Sequence, residues 1–289
     1  MEVIIGKNAG FCYGVERAVE TTKNELKKWN HIYCLGELVH NSRVINELEK
    51  KGLQTIENIQ EASKKVIIRA HGISKHIYEE AKKRKIELLD LTCPNVLKIH
   101  KIIEEYANND YYVFLIGSKK HPETLGSFGF AGDYAYIIET EGDVKVANEN
   151  LMKSNKNKLL IIVQTTFSLS KFKNLVELIE TSVNKNITIE IKNTICNATK
   201  IRQEETKELS EKVDCMIIIG GKNSSNTKKL YEISKLSCEK SFLIEKLDEL
   251  KKEDFLKFST VGIMAGASTP KEHIEEVRVF LENVGVCVC

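Results

Sequence analysis

The sequence predicts an α/β protein of three small α/β domains with pseudo-threefold symmetry, on three observations. Apolar, β-branched runs recur along all 289 residues, and most are followed by an amphipathic helical stretch. The turns after three of these runs carry a cysteine: Cys12, Cys93 and Cys196. Each cysteine is followed after 28 residues by another polar turn residue, His40, His121 and Ser224 respectively.

The elements fall in order. Strands are expected at 2–5 (EVII), 32–35 (IYCL), 66–68 (VII), 86–91 (IELLDL) and 111–116 (YYVFLI). Further strands follow at 159–163 (LLIIV), 187–191 (ITIEI), 215–219 (CMIII) and 260–264 (TVGIM), with shorter ones at 53–56, 135–138 and 241–244. Charged stretches at 75–85 and 246–257 read as solvated helices. A second interval recurs: His121 to Thr165 and Ser224 to Ser268 are each 44 residues, while His40 reaches its counterpart His71 in 31. The expected domains are therefore 1–92 (Cys12, His40, His71), 93–192 (Cys93, His121, Glu123, Thr165) and 193–289 (Cys196, Ser224, Asn226, Ser268). Open α/β sheets bind ligands at the carboxyl ends of their strands, so three facing domains would gather these turns around one central cavity.

Composition narrows the class. A hydrophobic fraction of 42% and a charged fraction of 29% are those of a globular protein. The net charge of +2 provides no footprint for nucleic acid or an anionic membrane. MEVIIGKN has no signal-peptide pattern, and the longest apolar run is too short to span a bilayer. A cytoplasmic location is expected, where eight cysteines would not form structural disulfides.

The three repeat cysteines differ from the local C-x₂-C runs of ferredoxins and zinc ribbons. Three thiolates on a four-iron cube would leave one iron open, as a catalytic site needs; on spacing alone, an iron–sulfur cluster, zinc binding and simple packing are all open readings of these cysteines. Cys34, Cys215 and Cys238 lie in or beside apolar runs and read as packing. His40, His71, His121, Ser224, Ser225, Asn226 and Ser268 make a neutral, polar set at turns and helix starts, suited to an anion. Helix capping is the competing explanation for Ser224, Ser268 and Asn226. Pro122 can open a helix, placing Glu123 in its first turn, as a dipole-stabilised acid or as a proton donor joined by the hydroxyls of QTT at 164–166. Walker and Rossmann phosphate motifs are absent.

These residues carry a resemblance to a known family. The pieces GFCYGVERA (10–18), ELVHNSRV (37–44), RAHGIS (69–74), LTCPNV (91–96), HPE (121–123), QTT (164–166), NTICNAT (193–199), GGKNSSNT (220–227) and AGAST (265–269) occur in order. Together they resemble the LytB/IspH family of 4-hydroxy-3-methylbut-2-enyl diphosphate reductases along nearly the whole chain. The resemblance implies three α/β domains around a [4Fe–4S] cluster held by Cys12, Cys93 and Cys196, with one iron open to the substrate. It implies that His40, His71, His121, Ser224, Ser225, Asn226 and Ser268 surround a diphosphate. Glu123 would relay protons and Thr165 would lie near the substrate hydroxyl. The implied reaction is reductive dehydroxylation of the allylic diphosphate to isopentenyl and dimethylallyl diphosphate, the last step of the non-mevalonate (MEP) pathway. A ferredoxin or flavodoxin would supply the electrons. Cys287, Cys289 and Tyr13 map onto no family role. The rival readings are a quinolinate-synthase-like [4Fe–4S] Lewis-acid dehydratase, against which HPE and QTT argue, and an iron–sulfur sensor, which predicts a basic or partner-binding surface not seen here.

Overall fold

The computed structural model describes residues 1–62 and 64–284. The chain runs β1 (Glu2–Ile5), α1 (Tyr13–Leu26), β2 (Ile32–Leu35), α2 (Ser42–Glu49), β3 (Leu53–Ile56), β4 (Lys65–Ile68), α3 (Lys75–Lys83) and β5 (Glu87–Asp90). It continues through α4 (Pro94–Asn108), β6 (Tyr112–Ile116), α5 (Pro122–Phe128), β7 (Ala135–Ile138), α6 (Gly142–Lys153), β8 (Lys158–Val163), α7 (Leu169–Ser182) and β9 (Thr188–Lys192). The last part comprises α8 (Asn197–Ser210), β10 (Cys215–Ile219), α9 (Ser225–Ser237), β11 (Ser241–Ile244), β12 (Thr260–Ala265) and α10 (Lys271–Val284). Cys287 and Cys289 lie outside the described residues.

The strands form three four-stranded sheets in the orders β3-β2-β4-β5, β7-β6-β8-β9 and β11-β10-β12-β1, with parallel pairing throughout. The repeat expected from the intervals is thus a repeat of sheet topology. One strand crosses the expected order: β1 occupies the place in the last sheet that β5 and β9 hold in theirs. The range 1–92 therefore begins with a strand that hydrogen-bonds to β12.

Parallel strands covered on both faces read as continuous apolar runs, which is why β6, β8, β10 and β12 are almost wholly buried. Alternate residues serve opposite faces. Phe114, Ile116, Ile161 and Val163 pack with Phe172, Leu175 and Ile179 of α7, whereas Val113, Leu115, Leu160 and Ile162 pack with Ile99 and Ile103 of α4. In the last sheet, Ile217, Ile219 and Ile263 meet Ile274, Val277 and Leu281 of α10, while Met216, Ile218 and Met264 meet Leu209 and Leu230.

The helix expected at 246–257 is instead two single turns of 3₁₀ helix, Leu247–Glu249 and Lys252–Asp254. The Glu249 carboxylate accepts the backbone N–H groups of Glu245 and Lys246 at 2.8 and 2.9 Å, tightening the turn. Leu250 then takes an extended conformation, and it and Phe255 are buried in the core. Packing overrides helical propensity at this point. Among the described residues, no helix is long and apolar enough to cross a membrane.

Candidate active site

The chain divides into two compact units. One contains Met1–Glu16, Val39–Glu47 and Asn197 onward; the other contains Arg17–Leu38 and Leu48–Cys196. Cys12, His40, Ser224, Ser225, Asn226 and Ser268 belong to the first, and His71, Cys93, His121, Glu123, Thr165 and Cys196 to the second.

Sheet topology gives the cysteines one shared position. Each follows the fourth strand of its sheet, β1, β5 or β9, and immediately precedes a helix, α1, α4 or α8. Each donates its backbone N–H to the turn after the adjacent strand: Cys12 to the Ala267 carbonyl at 3.1 Å, Cys93 to Ala70 at 2.9 Å and Cys196 to Thr165 at 3.0 Å. These turns carry Ser268, His71 and Thr165. All three cysteines are half-buried, whereas Cys34, Cys215 and Cys238 are fully buried. Burial pushes the thiols of Cys34 and Cys215 up to about 12, so neither is a ready anionic ligand.

In the first unit, Ser224 caps α9, its Oγ accepting the Thr227 N–H at 3.3 Å and leaving its hydroxyl hydrogen available. Asn226, in the first turn of that helix, is 4% exposed. Its amide nitrogen and oxygen have no hydrogen-bond partner among the described residues. A buried amide with both ends unmatched can pair with a polar ligand or with water. Ser268 is not a cap: α10 begins at Lys271, and the Ser268 hydroxyl donates to the His40 carbonyl at 3.0 Å. The same carbonyl lies against Gly221, where a Cβ would come within 2.4 Å of it, so glycine is needed for this approach. The segment bearing His40 is anchored by Ser42 donating to Glu245 at 2.6 Å and by Arg43 donating to both carboxylate oxygens of Glu276 at 2.6 Å.

In the second unit, Pro122 opens α5 and His121 is its N-cap, with Nδ1 accepting the Glu123 N–H at 3.1 Å. With Nδ1 accepting, the His121 ring can offer an Nε2–H as a donor. The His71 ring stands edge-on to it, with centroids 5.5 Å apart. Gly72 turns the chain behind His71 at φ 75°, and a Cβ there would lie 2.8 Å from the His100 ring.

Glu123 is 2% exposed and faces Thr165, which donates its N–H to Oε1 at 2.6 Å and its hydroxyl to Oε2 at 2.7 Å. Burial raises its pKa from the ordinary 4.5 to about 7, although the two Thr165 hydrogen bonds pull the other way. This carboxyl is therefore poised to exchange a proton near neutrality.

Two arginines escaped the sequence reading. Arg17 donates to the Leu91 and Thr92 carbonyls at 3.0 and 2.7 Å, beside Cys93. Arg202, 5% exposed, donates to the Gly10 carbonyl at 2.8 Å and so braces the turn leading to Cys12. Their only advance signal was proximity to the cysteine motifs, since bonds to carbonyls leave no residue-type pattern.

The sequence profile of the family described as LytB protein matches residues 3–282. A Clostridioides difficile (strain 630) protein named 4-hydroxy-3-methylbut-2-enyl diphosphate reductase is 42% identical over 290 residues, covering 98% of this chain and 100% of the relative. A protein of the same name from Campylobacter jejuni strain RM1221 is 40% identical over 286 residues, covering 98% and 99%. Among solved structures, the E-1-hydroxy-2-methyl-but-2-enyl-4-diphosphate reductase from Plasmodium falciparum is similar with a TM-score of 0.90 and 33% identity, covering 98% of this chain and 88% of that one. A structure of (E)-4-hydroxy-3-methyl-but-2-enyl diphosphate reductase, described as the terminal enzyme of the non-mevalonate pathway, is similar with a TM-score of 0.70 and 38% identity, covering 98% and 100%.

Proposed function

The chain belongs to the LytB protein family, and from that premise we propose that it reductively removes the hydroxyl of (E)-4-hydroxy-3-methylbut-2-enyl diphosphate. The reaction takes in two electrons and two protons, releases one water, and yields isopentenyl and dimethylallyl diphosphate. The observation that carries this reading is the set of half-buried cysteines at one repeated topological position, each tied to a turn bearing His71, Thr165 or Ser268.

Cys12, Cys93 and Cys196 hold a [4Fe–4S] cluster in this reading. They stand half-buried at helix starts, whereas burial holds Cys34 and Cys215 as thiols. When bound, such a cluster supplies electrons and one iron that lacks a protein ligand. The electrons come from a ferredoxin or flavodoxin.

The chain's own side chains bind the substrate and move the proton. His40, His71 and His121 take the diphosphate together with the hydroxyls and amide of Ser224, Ser225 and Asn226. Ser268 joins them by turning its hydroxyl from the His40 carbonyl. His121, with Nδ1 accepting the Glu123 N–H, can turn an Nε2–H to the ligand. Glu123, protonated near neutral pH, passes its proton through the Thr165 hydroxyl to the departing substrate oxygen. The 2.7 Å contact between the two groups supports this route.

Replacing His71 with Asn shortens the donor and removes any charge on the ring. Charge-assisted hydrogen bonds are worth about 1.5–3 kcal/mol, so substrate affinity should fall roughly 10- to 100-fold with an unchanged cluster spectrum. Equilibrium titration of the anaerobic protein, followed by cluster absorbance, checks this. The reaction itself is tested by mixing iron-loaded protein anaerobically with the substrate and reduced methyl viologen. Viologen oxidation that requires the substrate is expected; its absence in protein with a full cluster would overturn the assignment.

A further inference from the structure

Glu123 rides on α5 and Thr165 lies in the turn after β8, so their contact depends on what fixes these two segments to each other. Gln164, 1% exposed, lies at that junction. Its Oε1 accepts the Ser118 N–H at 3.0 Å and the Thr124 hydroxyl at 3.3 Å, and its Nε2 donates to the Thr166 hydroxyl at 3.0 Å. The partners are placed tellingly. Thr124 follows Glu123, Thr166 follows Thr165, and Ser118 begins the turn leading to His121. Space for the amide depends on Gly117, where a Cβ would lie 2.7 Å from Thr124 Oγ1 and 3.1 Å from Gln164 Cβ.

We propose that Gln164 is a positioning residue for proton delivery, locking the first turn of α5 to the turn after β8 so that Glu123 stays against Thr165. This rests on the reading of Glu123 as the proton donor. Only a side-chain amide meets the requirement, because one atom must accept twice while its neighbour donates. A methionine of similar length does neither, and a carboxylate cannot donate.

The consequence reaches the chemistry through Thr165. Its N–H and hydroxyl hold the Glu123 pKa down against burial, so loosening their grip moves the titration upward. His121, whose Nδ1 accepts the Glu123 N–H, starts the same helix, and the His71 ring faces His121 from the turn after β4. No charged side chain contributes to the shift of Glu123.

The test uses iron-loaded, anaerobic enzyme. Gln164→Met should lower kcat roughly 10- to 100-fold, as small misplacements of a reacting group do, with little change in KM. The alkaline limb of its kcat profile should move up by about one pH unit. The protonated carboxyl band in an infrared pH titration, assigned by its loss in Glu123→Gln, should move with it. Thr124→Val should shift both readouts in the same direction, and Thr124→Ser, which keeps the hydroxyl, should restore them. If Gln164→Met does not fold, the Thr124 pair decides. A folded Gln164→Met enzyme whose limb and infrared titration stay at the wild-type position would overturn the inference, whatever its kcat. Should Glu123→Gln turn over normally, the proton-donor reading itself fails. An inactive Glu123→Gln beside unmoved Gln164 and Thr124 variants removes only the positioning role.

Discussion

Glu123→Gln is expected to keep its cluster and bind substrate nearly normally, yet to lose roughly 10²–10⁴-fold in kcat, the usual contribution of a positioned acid. Glutamine preserves the shape of the side chain and can still accept from Thr165, but it has no proton to transfer. A glutamate serving only to complement the dipole of α5 would be worth about 0.3–1 kcal/mol of stability and nothing in turnover. If Glu123 is the proton donor proposed above, wild-type kcat should fall as pH rises through its titration near 7, because only the protonated form can deliver the proton. A bound diphosphate would shift this limb higher by like-charge repulsion. Stability should move in the same sense. The unfolded chain loses this proton once pH passes about 4.5, whereas the folded chain retains it to about 7. Glu123 therefore favours the folded state fully below pH 4.5, and that contribution, about 3 kcal/mol, fades as pH approaches 7. Glu123→Gln should flatten both dependences. Thermal unfolding and anaerobic kcat measured over the same pH range check them together.

Serine at Cys12, Cys93 or Cys196 should strip most of the iron and sulfide from the protein and reduce turnover to background. Serine at Cys34, Cys215 or Cys238 should leave an active cluster in a less stable chain. The distinction follows from burial and position. The first three stand half-exposed at helix starts beside the polar turns, while the second three are packed in the core. Iron and acid-labile sulfide analysis of anaerobically purified variants separates the two groups. A Cys93→Ser protein with full iron and normal turnover would remove Cys93 from the ligand set.

Much of this architecture was legible because parallel strands must be apolar on both faces. That requirement wrote β6, β8, β10 and β12 into the chain as uninterrupted runs. Even the short edge strands β3, β7 and β11 appeared where expected. The polar intervals were legible because each repeat places its turns at the same strand ends. Long-range pairing was not. Nothing local in EVII tells that β1 completes the sheet of β12. The segment 246–257 has helical composition, but burying Leu250 and Phe255 requires a different backbone path. Gln164, Arg17 and Arg202 were given no role of their own, because their work is done on main-chain groups and threonine hydroxyls that many side chains can reach.

The most direct test of the central claim is the electron and oxygen balance of one anaerobic reaction. Iron-loaded protein is given the hydroxymethylbutenyl diphosphate and a measured excess of reduced viologen, and the diphosphate products are analysed by mass spectrometry. Two electrons should disappear for each substrate consumed, and every product should be isopentenyl or dimethylallyl diphosphate, lacking the hydroxyl oxygen. Loss of that oxygen without consumption of reductant, or products that retain it, would contradict reductive dehydroxylation.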